Sequence, residues 1–191
     1  MIYLASRSPR RRELLNQLGV SFEILDLEVD ESTRAGETAD ALVLRLARAK
    51  AECGRGLAGD KGANLVLGAD TIVVLDDEVL GKPCDQDHAV AFLMRLSDRC
   101  HRVLSAVALA SVDGTATRVC ESRVCFRQLS RRECEAYAAT GEPLDKAGAY
   151  GIQGRAAAFV SQLQGSYSGV VGLPLYETSE LLAEAGLDLF G

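Results

Sequence analysis

The chain has 191 residues, 48% of them hydrophobic and 25% charged, with 4 prolines and a formal net charge of −6. That hydrophobic share excludes a disordered or low-complexity chain. The length fits one domain, or one domain folded as two lobes around a cleft. The acidic balance excludes general nucleic-acid binding, which needs a basic face, and no apolar run approaches the ~20 residues of a membrane span.

Ile2–Ala5 reads as a short buried strand that turns through Ser6–Pro9 into a helix from about Arg10 to Leu18. Ser8 stands as N-cap, Pro9 at the first helical position, and Gly19 as the stop. Phe22–Leu27 predicts a second strand. A helix opened by Glu37 and Thr38 follows, with Leu42, Leu46, Ala49 and Cys53 on one apolar stripe. Leu65–Ala69 is a short apolar run ending at Asp70, and Ile72–Leu75 pairs back through an acidic turn to Val79–Leu80. A helix spans roughly Asp87 to Leu96. Val103, Ser105, Val107 and Leu109 alternate along a strand, Asp113-Gly114 marks a hairpin turn, and the return strand runs to about Phe126. Ser130-Arg131-Arg132-Glu133 fits a capping box for a helix ending before Gly141. Ala157–Leu163 predicts a strand, Gly165–Leu175 a glycine-rich turn, and Pro174–Ala185 a last helix closed by Gly186. Strands interleaved with helices, plus two hairpins, predict an α/β fold with a mixed central sheet flanked by helices.

The cysteines Cys53, Cys84, Cys100, Cys120, Cys125 and Cys134 contain no C-x-x-C. A core of this size needs no staples, so they read as reduced thiols in a cytoplasmic chain. The N-terminus reaches its arginines too early for a secretory signal. His88 and His101 share no metal-ligand spacing, and no G-x-S-x-G supports a serine triad.

Three segments carry candidate chemistry. In Ser6-Arg7-Ser8-Pro9-Arg10-Arg11-Arg12, arginines crowd a helix start whose macrodipole is already positive, which calls for an anion. Arg holds phosphate oxygens through two parallel hydrogen bonds. The alternative is a solvated basic face paired with Glu13 or with the acidic stretch Glu23, Asp26, Glu28, Asp30 and Glu31. In Leu67-Gly68-Ala69-Asp70-Thr71, a carboxylate at the end of a buried strand suits a hard cation or the activation of water, against an ordinary turn Asp. Gly81-Lys82-Pro83 and the segment Asp145–Gly154 place lysines beside small residues, where a compact ammonium suits a triphosphate; the alternative is a flexible surface loop. No Walker A loop is present.

Taken together, seven segments resemble the Maf family of nucleoside triphosphate pyrophosphatases. They are Leu4–Arg11, Glu28–Glu31, Leu46–Ala51, Gly68–Thr71, Gly81–Pro83, Asp145–Gly154 and Val171–Pro174, in family order along essentially the whole chain. The resemblance implies a single catalytic domain over residues 1–191, with the inosine triphosphate pyrophosphatase-like fold and a deep cleft between two lobes. It implies hydrolysis of a nucleoside triphosphate to the monophosphate and pyrophosphate with a divalent cation (Mg2+, Mn2+ or Co2+), as nucleotide-pool house-cleaning. By carry-over Asp70 is the proton acceptor; the mechanism expected from it makes Lys82 and Lys146 the other catalytic groups, neutralising charge on the departing pyrophosphate. Ser8, Arg10, Arg11, Lys50, Thr71 and Gln153 bind substrate, and Asp70 and Glu31 hold the metal. Arg10, Thr71 and Gln153 resemble the branch acting on dTTP and UTP; the branch preferring 7-methyl-GTP carries Trp, Gln and Glu there. A homodimer is open by analogy alone. The rival from another class is a non-catalytic, nucleotide-binding regulator of septum formation and cell division.

Overall fold

The computed structural model describes residues 1–59 and 65–189. Its elements are β1 (Ile2–Leu4), α1 (Pro9–Gln17), β2 (Phe22–Ile24), α2 (Ala39–Ala58), β3 (Leu65–Leu75), β4 (Glu78–Leu80), α3 (Gln86–Leu96), β5 (Cys100–Ser111), β6 (Gly114–Phe126), α4 (Arg131–Ala138), β7 (Val160–Gln164), α5 (Tyr167–Val171) and α6 (Leu175–Glu184). Short 3₁₀ turns cover Glu142–Asp145, Ala147–Ala149 and Arg155–Phe159. The strands form one sheet in the order β2-β1-β3-β5-β6-β7, with β4 on β3. β1 is parallel to β2 and β3, whereas β3–β4 and β6–β7 are antiparallel, so the sheet is mixed as the element pattern predicts. No described helix is long and apolar enough to cross a membrane.

Two compact units emerge: one of Met1–Thr71, Ser105–Cys120 and Gly172–Gly191, the other of Ile72–Leu104 and Glu121–Val171. In the first unit, α1 turns Leu14 and Leu15 inward, and Thr38 opens α2 by accepting the Ala41 N–H at 3.2 Å. The expected α2 stripe is rotated. Leu42, Val43, Leu46, Ala47, Lys50, Ala51 and Gly54 are buried, while Ala49 is half-buried and Cys53 exposed. Leu42 and Leu46 keep their expected place, but further along the inward face passes to Ala47, Ala51 and Gly54, small residues that the periodicity of large apolar side chains does not register. β2 stops at Ile24 rather than Leu27. After the Leu25 N–H meets the Leu4 carbonyl, the next residue of the neighbouring chain, Ala5, already donates to Leu67.

In the second unit, Asp76 and Asp77 make the left-handed two-residue turn between β3 and β4 (φ 51 and 64), the form that matches strand twist. Asp85 caps α3 by accepting the His88 N–H at 2.7 Å, and Ser130 with Glu133 forms the expected capping box on α4. α3 and α4 pack on each other, with Cys134 Sγ 3.6 Å from Met94 Sδ. β7 starts at Val160 rather than Ala157, because the Arg155–Phe159 turn drives Ala156 and Phe159 inward. The glycine-rich stretch after it holds a helix, α5, that turn composition concealed.

The reduced-cysteine expectation is corrected: Cys100 and Cys125 form a disulfide, while Cys53, Cys84, Cys120 and Cys134 are free. Counted outward from the two-residue turn between Ser111 and Gly114, Cys100 at the start of β5 lies opposite Cys125 near the end of β6. The hairpin register pairs them.

His101 is a core residue, 3% exposed, its Nε2 at 2.8 Å from the Tyr150 hydroxyl and its ring edge-on to Phe126. Burial pulls it from 6.5 to about 4. The unfolded chain therefore takes up a proton, as pH falls from 6.5 to about 4, that the folded chain refuses. Urea unfolding across that window is expected to show stability intact above pH 6.5 and about 3 kcal/mol lost by pH 4. His101→Gln should flatten the slope. Glu37 and Glu133, held near 2 chiefly by hydrogen bonds from Arg45 and Arg127 respectively, act at lower pH.

Candidate active site

The site in the first unit begins where β1 hands over to α1. Ser6 is buried, and its Oγ accepts the Ser8 N–H at 3.2 Å and an Arg11 Nη1–H at 3.4 Å. Ser8 holds the N-cap position but its side chain makes no cap. Pro9 has no N–H to offer, and no acidic residue stands in the first helical turn. Arg11 donates from Nε to the Gly172 carbonyl at 2.8 Å. Burial pulls its guanidinium down, opposed by Asp70 and Glu31 and reinforced by Arg10. The four arginines part company here. Arg7 is exposed and bound to Asp26 and Glu28, as the solvated-face reading had it, whereas Arg11 points inward.

Asp70 is not at a strand end. β3 runs unbroken from Leu65 to Leu75, and Asp70 sits in its middle, 7% exposed. The reason is Gly68. A Cβ there would lie 2.4 Å from the Ala47 carbonyl oxygen and 2.5 Å from the Ala51 nitrogen, so α2 rests directly on the strand backbone. Residues two apart share a strand face, which turns Asp70 to the same helix. Lys50, on the face of α2 that carries Ala47 and Ala51, reaches it. Its Nζ is 2.6 Å from Asp70 Oδ1 and 2.6 Å from Glu31 Oε1. Thr71 faces the other way, its Oγ1 at 2.7 Å from Ser105 Oγ and 3.4 Å from the Gly172 carbonyl. Gly172 thus ties Thr71 to Arg11.

The first unit therefore gathers Arg11, Glu31, Lys50 and Asp70, with Thr71 joined through Gly172 and Ser8 through Ser6. Ser6, Ser105 and the Gly172 carbonyl are members that residue-type reasoning passed over. Only the placement of Ser6 and Gly172 inside glycine-, serine- and proline-marked turns signalled them. The two carboxylates are hard oxygen donors of the kind a divalent cation takes, and here both are met by the Lys50 ammonium. No third His, Cys, Asp or Glu joins them among the described residues.

The second unit holds Lys82, Lys146 and Gln153. Lys82 is exposed, and its turn is joined to the Lys146 loop by the Gly148 N–H donating to the Gly81 carbonyl at 3.0 Å. Lys146 Nζ donates to the Glu142 carbonyl and to Asp145 Oδ1, each at 2.6 Å. Gln153 is exposed, between the buried Ile152 and the exposed Gly154.

A family model described as "Maf-like protein" matches residues 1–185. The dTTP/UTP pyrophosphatase of Alkalilimnicola ehrlichii is 54% identical, over 98% of this chain and 94% of that one. The proteins of the same name from Aromatoleum aromaticum and Shewanella oneidensis are 51% and 50% identical, over 98% and 97% of this chain and 97% and 98% of theirs. Among solved structures, the nucleoside-triphosphatase / dITP/XTP pyrophosphatase of Mycobacterium abscessus shares 19% identity, at a TM-score of 0.40 over 65% of this chain and 73% of that one.

Lys50 leaves a buried Asp70 unpaired if it is truncated. Lys50→Met is expected to lower unfolding free energy by about 3 kcal/mol, and Lys50→Met with Asp70→Leu to recover most of it, because the loss comes from the stranded charge. Urea titration of the three proteins checks this; a single variant as stable as the parent would show that the ammonium does not hold the carboxylate.

Proposed function

The chain belongs to the Maf-like protein family, and from that premise we propose that it hydrolyses dTTP and UTP to the nucleoside monophosphate and pyrophosphate, in nucleotide-pool house-cleaning. Residues 1–191 act as one catalytic domain. The supporting observation is the buried contact of Lys50 with Asp70, joined at its exposed edge by Glu31, beside an Arg11 guanidinium already anchored to Gly172 and Ser6.

Lys50 orients the Asp70 carboxylate. Asp70 accepts the proton of a water attacking the α-phosphorus in line, and the bond from that phosphorus to the bridging oxygen breaks as pyrophosphate leaves. Arg11 is held in place before substrate arrives, so it meets phosphate charge without reorganising. Lys82 and Lys146 are assigned to the charge growing on the departing pyrophosphate, and the turn at Ser8 to the phosphate tail. A divalent cation held by Asp70 and Glu31 would supply positive charge to the phosphate oxygens and polarise the phosphorus. Arg10, Thr71 and Gln153 read the base: Arg and Gln meet the carbonyl and N–H edges of a pyrimidine, whereas a Trp suits a methylated, electron-poor purine.

The deciding assay counts monophosphate and pyrophosphate from dTTP and UTP with Mg2+ or Mn2+, and with a chelator, which should abolish turnover. Asp70→Asn should lose at least about 100-fold in kcat, the lower range for a general base. Turnover within a few-fold of the parent removes the base assignment, and no pyrophosphate from the parent removes the enzymatic reading. Selectivity has its own check. Gln153→Glu or Arg10→Trp should lose more kcat/KM on dTTP than on 7-methyl-GTP, and equal losses would remove the base-reading role.

A further inference from the structure

Gln153 stands at the centre of a short stretch whose backbone is held on both sides by one pair of side chains. On the near side the Gly151 N–H donates to the Tyr137 hydroxyl at 3.2 Å. On the far side the Arg155 N–H donates to Glu142 Oε2 at 3.3 Å. The two holding groups are themselves joined, Tyr137 Oη donating to Glu142 Oε1 at 2.8 Å. The Gly154 N–H donates to the Gly151 carbonyl at 3.0 Å and closes the turn from within.

Each holder is seated in its turn. Tyr137 is 3% exposed, its ring edge-on to Phe159 with centroids 5.3 Å apart. Thr140 Oγ1 donates to the Tyr137 carbonyl at 2.6 Å and accepts the Glu142 N–H at 3.2 Å, so it fixes the two residues relative to each other. Gly154 admits the carboxylate: a Cβ there would lie 2.0 Å from Glu142 Oε1. The spacing of the bonds has a chemical sense. They fall two residues before and two residues after Gln153, and neither touches its carboxamide, which is exposed and open to a ligand.

We infer that Tyr137 and Glu142 are positioning residues that set base selectivity by fixing the turn that presents Gln153. This rests on the reading of Gln153 as a base-contacting side chain. A carboxamide offers both a donor and an acceptor and rotates to suit either edge, so the held backbone acts by setting the reach and angle at which the group meets a uracil or a cytosine edge.

The test compares kcat and KM for UTP and CTP, with Mg2+, for the full chain and two variants. Tyr137→Phe keeps the ring against Phe159 and removes the hydroxyl; Glu142→Ala removes the other holder. Each is expected to lower the UTP-over-CTP ratio of kcat/KM about tenfold, the scale of one lost hydrogen bond. The loss should be carried by a rise in KM for UTP, with faster amide hydrogen exchange at Gly151 in Tyr137→Phe. Glu142→Gln, which retains an oxygen for Arg155 and a polar partner for Tyr137, should keep most of the preference. Should Tyr137→Phe fail to fold, the Glu142 pair decides. Equal losses on UTP and CTP with the ratio unchanged, or a parent without UTP preference, overturn the inference alone. A parent that turns over neither UTP nor dTTP overturns the pyrophosphatase reading, and this inference with it.

Discussion

The carboxylate of the first unit's site is set by the contact of helix α2 with strand β3 at backbone distance. Gly68 has no side chain to hold the helix away, and Ala47 and Ala51 offer only short ones. The approach is close enough for the Lys50 stem to lie along the interface and place its ammonium on Asp70. Burying a charge in this way is costly, and a paired ion inside a protein is weak evidence for stability. A hydrophobic pair would hold the two elements as well. What the ionic pair adds is orientation: a buried carboxylate kept in one place beside an ammonium.

The arginine-rich start of α1 divides its labour along the same lines. Arg7 is drawn outward by Asp26 and Glu28, where solvent screens the pair and its energetic worth is small. Arg11 is drawn inward and spends two donor groups on Ser6 and Gly172. Sequence neighbours with one chemistry thus acquire opposite roles. An inward guanidinium beside a helix N-terminus is a standing positive field with no acidic residue in the first turn to quench it.

The second unit solves a different problem, that of holding a glycine-rich loop still. Its aromatic cluster of His101, Phe126, Tyr137, Tyr150 and Phe159 supplies rigid rings in edge-on contact. Burial keeps both tyrosines as neutral phenols, so their hydroxyls remain available to donate. One is shared with His101 and the other with Glu142. Gly148 (φ 68) lets the backbone turn tightly, Gly151 and Gly154 leave room for the Lys146 and Glu142 side chains, and the phenols replace the order that glycine composition gives up.

Much of this molecule was legible in the linear chain, because local physics writes local signals. The capping box at Ser130, the hairpin signalled by Asp113-Gly114 (its turn falling one residue earlier, at Val112-Asp113), the acidic turn before β4 and the mixed sheet all follow from short-range rules. The segments bearing Arg11, Asp70, Lys82, Lys146 and Gln153 stood out by residue type. What needed three dimensions were the pairings between distant residues: Lys50 with Glu31 and Asp70, Arg11 with Gly172, Thr71 with Ser105, Tyr137 and Glu142 around Gln153. The later part of the inward face of α2 escaped periodicity because it is made of Ala47, Lys50, Ala51 and Gly54 rather than large apolar residues. The strand through Asp70 escaped it because the Gly-Ala-Asp-Thr composition reads as a turn, although the chain there is extended. The Cys100–Cys125 bridge follows from hairpin register, which becomes visible only once both strands are counted outward from the turn. Sequence by itself determined the elements and the kinds of chemistry they carry. Only the tertiary structure decided which charges meet, because those contacts depend on how closely two backbones approach.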